Sequence, residues 1–280
     1  MGNKRVRELV PDIIIYIFLI LMVILVLIPL GWVLSTSIKS EVEIFAKPPR
    51  WIPSSPTLSS YRDVIMESGI PMAFLNSIII GFMTVILYLC LGGCAGYAFA
   101  RFKFRGKKVL SLYFLMSQML PLTVLMIPLF YMINDWGMID TKIGLSIAHL
   151  VITMPMVTWM TKGYFEGIPK ELEESSSVDG CNTLQTLFHI LLPLLRPALA
   201  TTGIYAFVSS WNEFALANVL TRTDASRTVP ISLSEFASYF KVDWGDTMAA
   251  AAIITLPIII LFMLVQKHFV EGLTAGAVKG

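Results

Sequence analysis

Apolar residues in this chain run in long blocks rather than in stripes. Windows free of Asp, Glu, Lys and Arg cover residues 13–38, 68–100, 109–134, 143–161, 197–212 and 247–266. A helix needs about 20 mostly apolar residues to cross the hydrocarbon of a bilayer. Five of the windows reach that scale unaided, and the helix of the second is expected to start near Met72. The fifth window is short, but it continues past a single acid, Glu213, into residues 214–221. The pattern predicts an all-α integral membrane protein with six transmembrane helices. Lys4, Arg5 and Arg7 precede the first run as they would in a signal peptide. That run is longer than a 7–15-residue signal core and shows no clear small-residue cleavage site, so an uncleaved anchor is expected.

Composition agrees with a membrane location. Hydrophobic residues make up 56% of the chain and charged residues 14%, with a mean hydropathy of +0.73. A soluble domain carries about 25% charge. The formal net charge of +2 gives no basic surface for nucleic acid. Cys90, Cys94 and Cys181 lack disulfide or zinc spacing, and Cys90 and Cys94 read as buried packing thiols. His149, His189 and His268 show no metal-ligand spacing either.

The placement of charge sets an expected orientation. Five cations, Arg101, Lys103, Arg105, Lys107 and Lys108, crowd the short loop after the second span, and such loops stay cytoplasmic. Both termini are then cytoplasmic. Loops 39–70, 134–142 and 222–246 lie outside, and loop 162–196 lies inside.

That inner loop is too long for a turn between antiparallel helices. Pro169 suits the first turn of a helix, and Glu171, Glu173 and Glu174 suit the positive end of its dipole. Gly180 suits the residue that ends it. An apolar stripe of Leu184, Leu187, Phe188, Leu191, Leu192 and Leu195 follows. Pro193 and Pro197 are expected to bend it into the fifth span. A short acidic helix outside the membrane is placed either to dock into a partner or to lie solvated.

The spacing Glu174-Ser175-Ser176, three residues, Gly180, nine residues, Ile190-Leu191-Leu192-Pro193 resembles the signature loop of ABC importer permeases. Ser175 and Ser176 stand where that family usually has alanines. Residues 207–214, with Trp211, Asn212 and Glu213, and the tail 269–280 are similar to the carbohydrate branch, in particular the maltose-permease-G-like subunit. So is the third span around Gln118–Pro121 and Pro128. Pro121 and Pro128 are expected to kink that span, and Pro155 the fourth. The resemblance covers roughly residues 70–280.

The resemblance implies a type I ABC importer permease fold with a cytoplasmic coupling helix, in the cytoplasmic membrane of a prokaryote. Residues 1–70 would hold the N-terminal tail, first span and first external loop, residues 71–267 the permease core, and residues 268–280 a cytoplasmic tail. Glu173, Glu174, Ser175, Ser176, Asp179, Gly180, Ile190, Leu192 and Pro193 would couple to a partner ATPase. The implied function is sugar import driven by that ATPase. The implied partners are a second homologous permease, two ATPase subunits, an extracytoplasmic sugar-binding protein and the bilayer. No cofactor is expected on this chain, because it holds no Gly-rich phosphate loop; ATP and Mg would sit on the partners. No catalytic or metal site is expected.

An ionisable group within a span normally faces a cavity or a partner. Trp211, Asn212 and Glu213 therefore stand as candidates for the substrate pathway, for helix packing or for an interfacial anchor. Asn76 and Gln118 line a pore or make interhelical hydrogen bonds. Tyr239, Phe240 and Trp244, in an external loop of mixed charge, suit a transient contact with the binding protein or belong to a plain solvated loop. Three other classes stay open: a permease for glycerol phosphate or a polyol, a stand-alone secondary transporter, and an intramembrane enzyme. The second would show inverted repeats with broken helices, and the third a nucleophile–base pair within the spans. Neither is evident in the sequence.

Overall fold

The computed structural model describes residues 2–238 and 243–277. Every regular element among them is helical: α1 (Gly2–Ser37), α2 (Glu41–Ile44), α3 (Ser59–Glu67), α4 (Ile70–Arg101), α5 (Lys107–Ser117), α6 (Leu122–Asp135), α7 (Lys142–Glu166), α8 (Glu171–Val178), α9 (Thr183–Thr186), a π-helical stretch Leu187–Leu191, α10 (Leu192–Leu194), α11 (Arg196–Trp211), α12 (Ala215–Leu220), α13 (Val229–Ser238) and α14 (Trp244–Ala277). Two compact units are present, residues 1–68 with 233–255 and residues 69–232 with 256–280.

Four helices, or parts of them, are long and apolar enough to cross a membrane alone: Ile14–Ser37, Ile70–Arg101, Lys142–Glu166 and Trp244–Leu264. Two further spans are broken. α5 and α6 meet at 106°, and Thr183–Leu194 meets Arg196–Trp211 at 81°. The third span is thus no single kinked helix. Pro121 disfavours helical backbone at Leu120 and has no N–H to continue the ladder, so α5 ends and α6 restarts. Pro128, inside α6, does not break the helix. The fifth span also departs from the expected single run, because the chain leaves helix after Trp211 and re-enters it at Ala215.

In the first unit, Trp32 meets Trp51 edge-on at 4.9 Å, Lys39 lies 4.4 Å over the Trp32 ring, and Ser37 shares a 2.8 Å hydrogen bond with Tyr61. These contacts fix the loop that follows α1.

In the second unit α4, α7 and α11 pack together. Lipid is as apolar as leucine, so helices in a bilayer associate by close packing and hydrogen bonds rather than by hydrophobic burial. Gly96 shows why small residues are needed: a Cβ there would lie 2.8 Å from Cβ of Thr161 and 3.1 Å from the Lys162 nitrogen. The Gly92–Gly96 face of α4 therefore seats α7. Cys90 and Cys94 fall on the other side of α4 and are exposed, which corrects their expected burial. Tyr88, Leu150, Val157 and Ala206 fill the middle of the unit. Ile80, Ile133, Leu145 and Leu216 fill the end near Asn76, and Tyr97, Phe165, Leu187 and Leu191 the end near Arg101.

Candidate functional site

Two polar sites lie at opposite ends of α4. Asn76 and Arg101 are separated by 25 positions, about 37 Å of helix.

At the Arg101 end, α8 forms where the acidic run predicts it, with Glu171, Glu173 and Glu174 in its first turn. It ends in a Schellman motif: the Cys181 N–H donates to the Ser176 carbonyl at 3.0 Å and the Gly180 N–H to the Ser177 carbonyl at 3.2 Å. Gly180 adopts φ +84° with nothing near its missing Cβ, so glycine is needed for its backbone conformation. Asn182 then opens α9 with a capping box completed by Gln185.

The face of α8 turned inward is now assigned. Glu173 is ion-paired with Arg101 and lies 3.4 Å from the Tyr97 hydroxyl. Arg101 also donates to the Ile168 carbonyl at 2.8 Å. Ser176 is buried and bonds the Thr186 hydroxyl and the Glu173 carbonyl, each at 2.8 Å. Glu174, Ser175, Val178, Asp179 and Gly180 are exposed, so the candidate coupling residues divide into an inward and an outward set. The predicted leucine stripe divides too. Leu187, Leu191 and Leu195 are buried with Leu192 packed on them, while Leu184 and Phe188 are exposed. The π-helical stretch resets the register between them. Ile190 and Pro193 are half-buried.

At the other end, the break after Trp211 is built around Glu213. Its Oε1 accepts from the Leu216 amide at 2.8 Å and its Oε2 from the Ala217 amide at 3.0 Å. Oε2 also lies 3.2 Å from His149 Nε2. With Nε2–H given to the carboxylate, Nδ1 accepts from the Ser210 hydroxyl at 2.7 Å. His149 is buried, so its ring ties α7 to both helices flanking the break. Sequence spacing does not show this set, because 61 and 64 positions separate His149 from Ser210 and Glu213. The signal was two ionisable residues in neighbouring spans, each in need of a partner. A Ser–His–carboxylate contact does therefore occur within the spans. Ser210 is only 4% exposed and its hydroxyl is engaged by His149, so the set ties the helices together.

Trp211 is 2% exposed, stacked on Phe207 at 5.7 Å and edge-on to Phe74 at 5.6 Å. It packs helices. Asn212 is exposed. Asn76 is fully buried and donates from Nδ2 to the carbonyls of Asp224 and Arg227, both at 2.9 Å, so it clamps loop 221–228. Asp140 clamps the same loop. It takes the amides of Arg222 at 2.7 Å and Thr223 at 3.0 Å, the Thr223 hydroxyl at 2.8 Å and the Ser226 hydroxyl. Burial pushes its carboxyl up, but the bonds from Ser226, Arg222 and Thr223 outweigh this and hold it well below the usual carboxylate range. Its φ of 62° suits aspartate among non-glycine residues. Nothing in the sequence singled Asp140 out.

Gln118 lies at the break between α5 and α6 and lines a largely apolar cavity of about 340 Å3 with Tyr113, Leu122, Ile152 and Pro155. Trp244 is exposed at the start of α14. Tyr239 and Phe240 lie outside the described residues. Among the described residues, no group of three or more His, Cys, Asp or Glu could hold a metal ion.

Apolar helices of membrane-crossing length, two of them broken pairs, with a capped helix outside the bundle, define a helical membrane protein. Residues 89–274 match the family of binding-protein-dependent transport system inner membrane components, and the chain belongs to that family, the permease subunits of ABC importers. It is 33% identical over 252 residues to the diacetylchitobiose uptake system permease protein DasC of Streptomyces coelicolor, covering 90% of this chain and 91% of that one. It is 35% identical over 256 residues to the trehalose transport system permease protein SugB of Mycobacterium tuberculosis, covering 91% and 93%. It is 33% identical over 277 residues to the trehalose/maltose transport system permease protein MalG of Thermococcus litoralis, covering 98% and 99%. The fold matches the crystal structure of a bacterial ABC transporter that imports the acidic polysaccharide alginate, with TM-score 0.78, 23% identity and coverage of 96% and 98%. These relatives do not favour a stand-alone secondary transporter or an intramembrane enzyme.

Proposed function

We propose that this chain is the permease subunit through which a sugar enters the cell, driven by ATP hydrolysis on partner chains. The reading of the solute rests on the relatives, whose names specify diacetylchitobiose, trehalose and trehalose/maltose. A mono- or oligosaccharide is the class proposed. The reading of the drive rests on α8. Its Glu173 side is held to the end of α4 by Arg101, and its Glu174–Ser175–Val178 side is free. A rigid connection on one side and an open face on the other suit a helix that docks into an ATPase and passes the displacement to α4. ATP and Mg belong to the ATPase pair. The Arg101 end of α4 is then cytoplasmic, as are both termini, and six spans cross the membrane if each broken pair counts as one. A second homologous permease completes the pathway, and an extracytoplasmic sugar-binding protein delivers the solute near loop 222–246.

Affinity purification in mild detergent tests the assembly: a second permease and an ATPase are expected to co-purify, and recovery without an ATPase overturns the reading. Uptake of labelled di- and oligosaccharides by cells lacking the chain tests the solute. Loss of uptake for at least one sugar is expected, and unchanged uptake of every sugar alongside lost glycerol phosphate or polyol uptake overturns it.

A further inference from the structure

A groove of about 340 Å3 runs along α11, walled by Phe82, Val85 and Leu89 of α4 and by Leu261 of α14. Its sides are apolar apart from one end, where Arg196 stands. Two observations bear on what fills it. First, the groove follows α11 from Arg196 to Phe207, 11 positions or about 16 Å. That length is half of the ~30 Å hydrocarbon thickness, the reach of one leaflet's acyl chain. It stops where Phe207 closes on Phe82 at 5.3 Å, and Phe207 fits there because Gly81 has no side chain: a Cβ would lie 2.6 Å from the ring. Second, Arg196 opens α11 at the 81° bend after Leu194. It is exposed and has no ion-pair or hydrogen-bond partner among the described residues.

We infer that this groove binds an anionic phospholipid of the cytoplasmic leaflet, one acyl chain in the slot beside α11 and the headgroup phosphate on the Arg196 guanidinium. The leaflet assignment rests on the orientation proposed above; the site itself does not. A guanidinium matches phosphate with two parallel N–H donors, and the unbranched hydrocarbon of an acyl chain suits a continuous apolar groove that ends at a cation.

The assembled importer is reconstituted in nanodiscs of phosphatidylglycerol and phosphatidylcholine in equal amounts, and retained lipids are counted by native mass spectrometry. Phosphatidylglycerol is expected to be retained in preference. Arg196→Gln should weaken that preference roughly five-fold, the effect of one basic contact near the headgroups, and Arg196→Lys should keep most of it. Gly203→Leu fills the slot from its floor, where a Cβ already lies 3.4 Å from Val85 Cγ1, and should remove the retained lipid without changing the headgroup chemistry. Equal retention of the two lipids overturns the inference, as does wild-type retention in both Arg196→Gln and Gly203→Leu. A photo-crosslinker at Leu199 is expected to label lipid; a crosslink to the second permease instead shows that protein fills the groove and also overturns it. Co-purification of the ATPase in the same preparation keeps a failure here distinct from a failure of the importer reading.

Discussion

Glu173 reaches back from the first turn of α8 to the guanidinium of Arg101, the last residue of α4. This contact joins the short helix outside the bundle to a helix that runs the length of the second unit. Arg101 is 7% and Glu173 20% exposed. Removing one partner leaves the other poorly solvated, which costs roughly 3 kcal/mol for a buried pair. Arg101→Ala should therefore lower the thermal midpoint of the solubilised complex and reduce sugar uptake more than ATP hydrolysis. Exchange of the two residues, Arg101→Glu with Glu173→Arg, should recover part of both. Thermal unfolding followed by size-exclusion fluorescence, with uptake and hydrolysis measured in proteoliposomes, checks this.

Gly180 separates space from backbone conformation. No atom lies within 4 Å of a Cβ added there, yet φ is +84°. Its substitution cost is the left-handed conformation itself, about 1–2 kcal/mol for most residues and less for Asn. Gly180→Asn should keep most uptake. Gly180→Val should insert into the membrane but lose uptake, with ATP hydrolysis no longer tied to substrate. Equal activity of the two variants would show that the turn does not transmit.

Glu213 and His149 hold the break between α11 and α12. Glu213→Gln keeps the shape but replaces one amide-accepting oxygen with a donor, so a capping bond worth about 1 kcal/mol is lost and the His149 contact weakens. His149→Ala removes the tie to Ser210 as well and should cost more. Both variants should reduce uptake while the complex still assembles. The double variant should fall short of the sum of the singles, because the residues share one network. Thermal midpoints of the four proteins decide this.

Asp140 makes a pH-dependent contribution whose sign follows from its lowered pKa. A carboxylate with a depressed native pKa stabilises the fold above its unfolded value of ~3.9 and loses that contribution as pH falls through the native value. Asp140→Asn should thus lower the thermal midpoint by a constant amount above about pH 5. The gap to the wild-type protein should narrow only below about pH 4. A gap that closes already between pH 5 and 7 would assign the effect to another group.

Much of this protein was legible along the chain. Charge-free windows located the four helices that can cross a membrane alone and most of the two broken pairs, since lipid imposes its length on every crossing. The acids of residues 171–174 and Gly180 marked α8, because helix ends are decided by the few residues that satisfy their free backbone groups. The spacing from Glu174 to Pro193 pointed to the family before any fold was known. Tertiary structure alone decided which partners those residues take. Pro121 and Pro193 announce bends, but the angles of 106° and 81° depend on what packs against each half. Trp211 offers the same indole to a sugar or to Phe207, and only packing chose Phe207. Glu213 needed a partner, and the one it has, His149, lies 64 positions away. Such pairings join side chains by their positions in space, and local spacing carries no record of them.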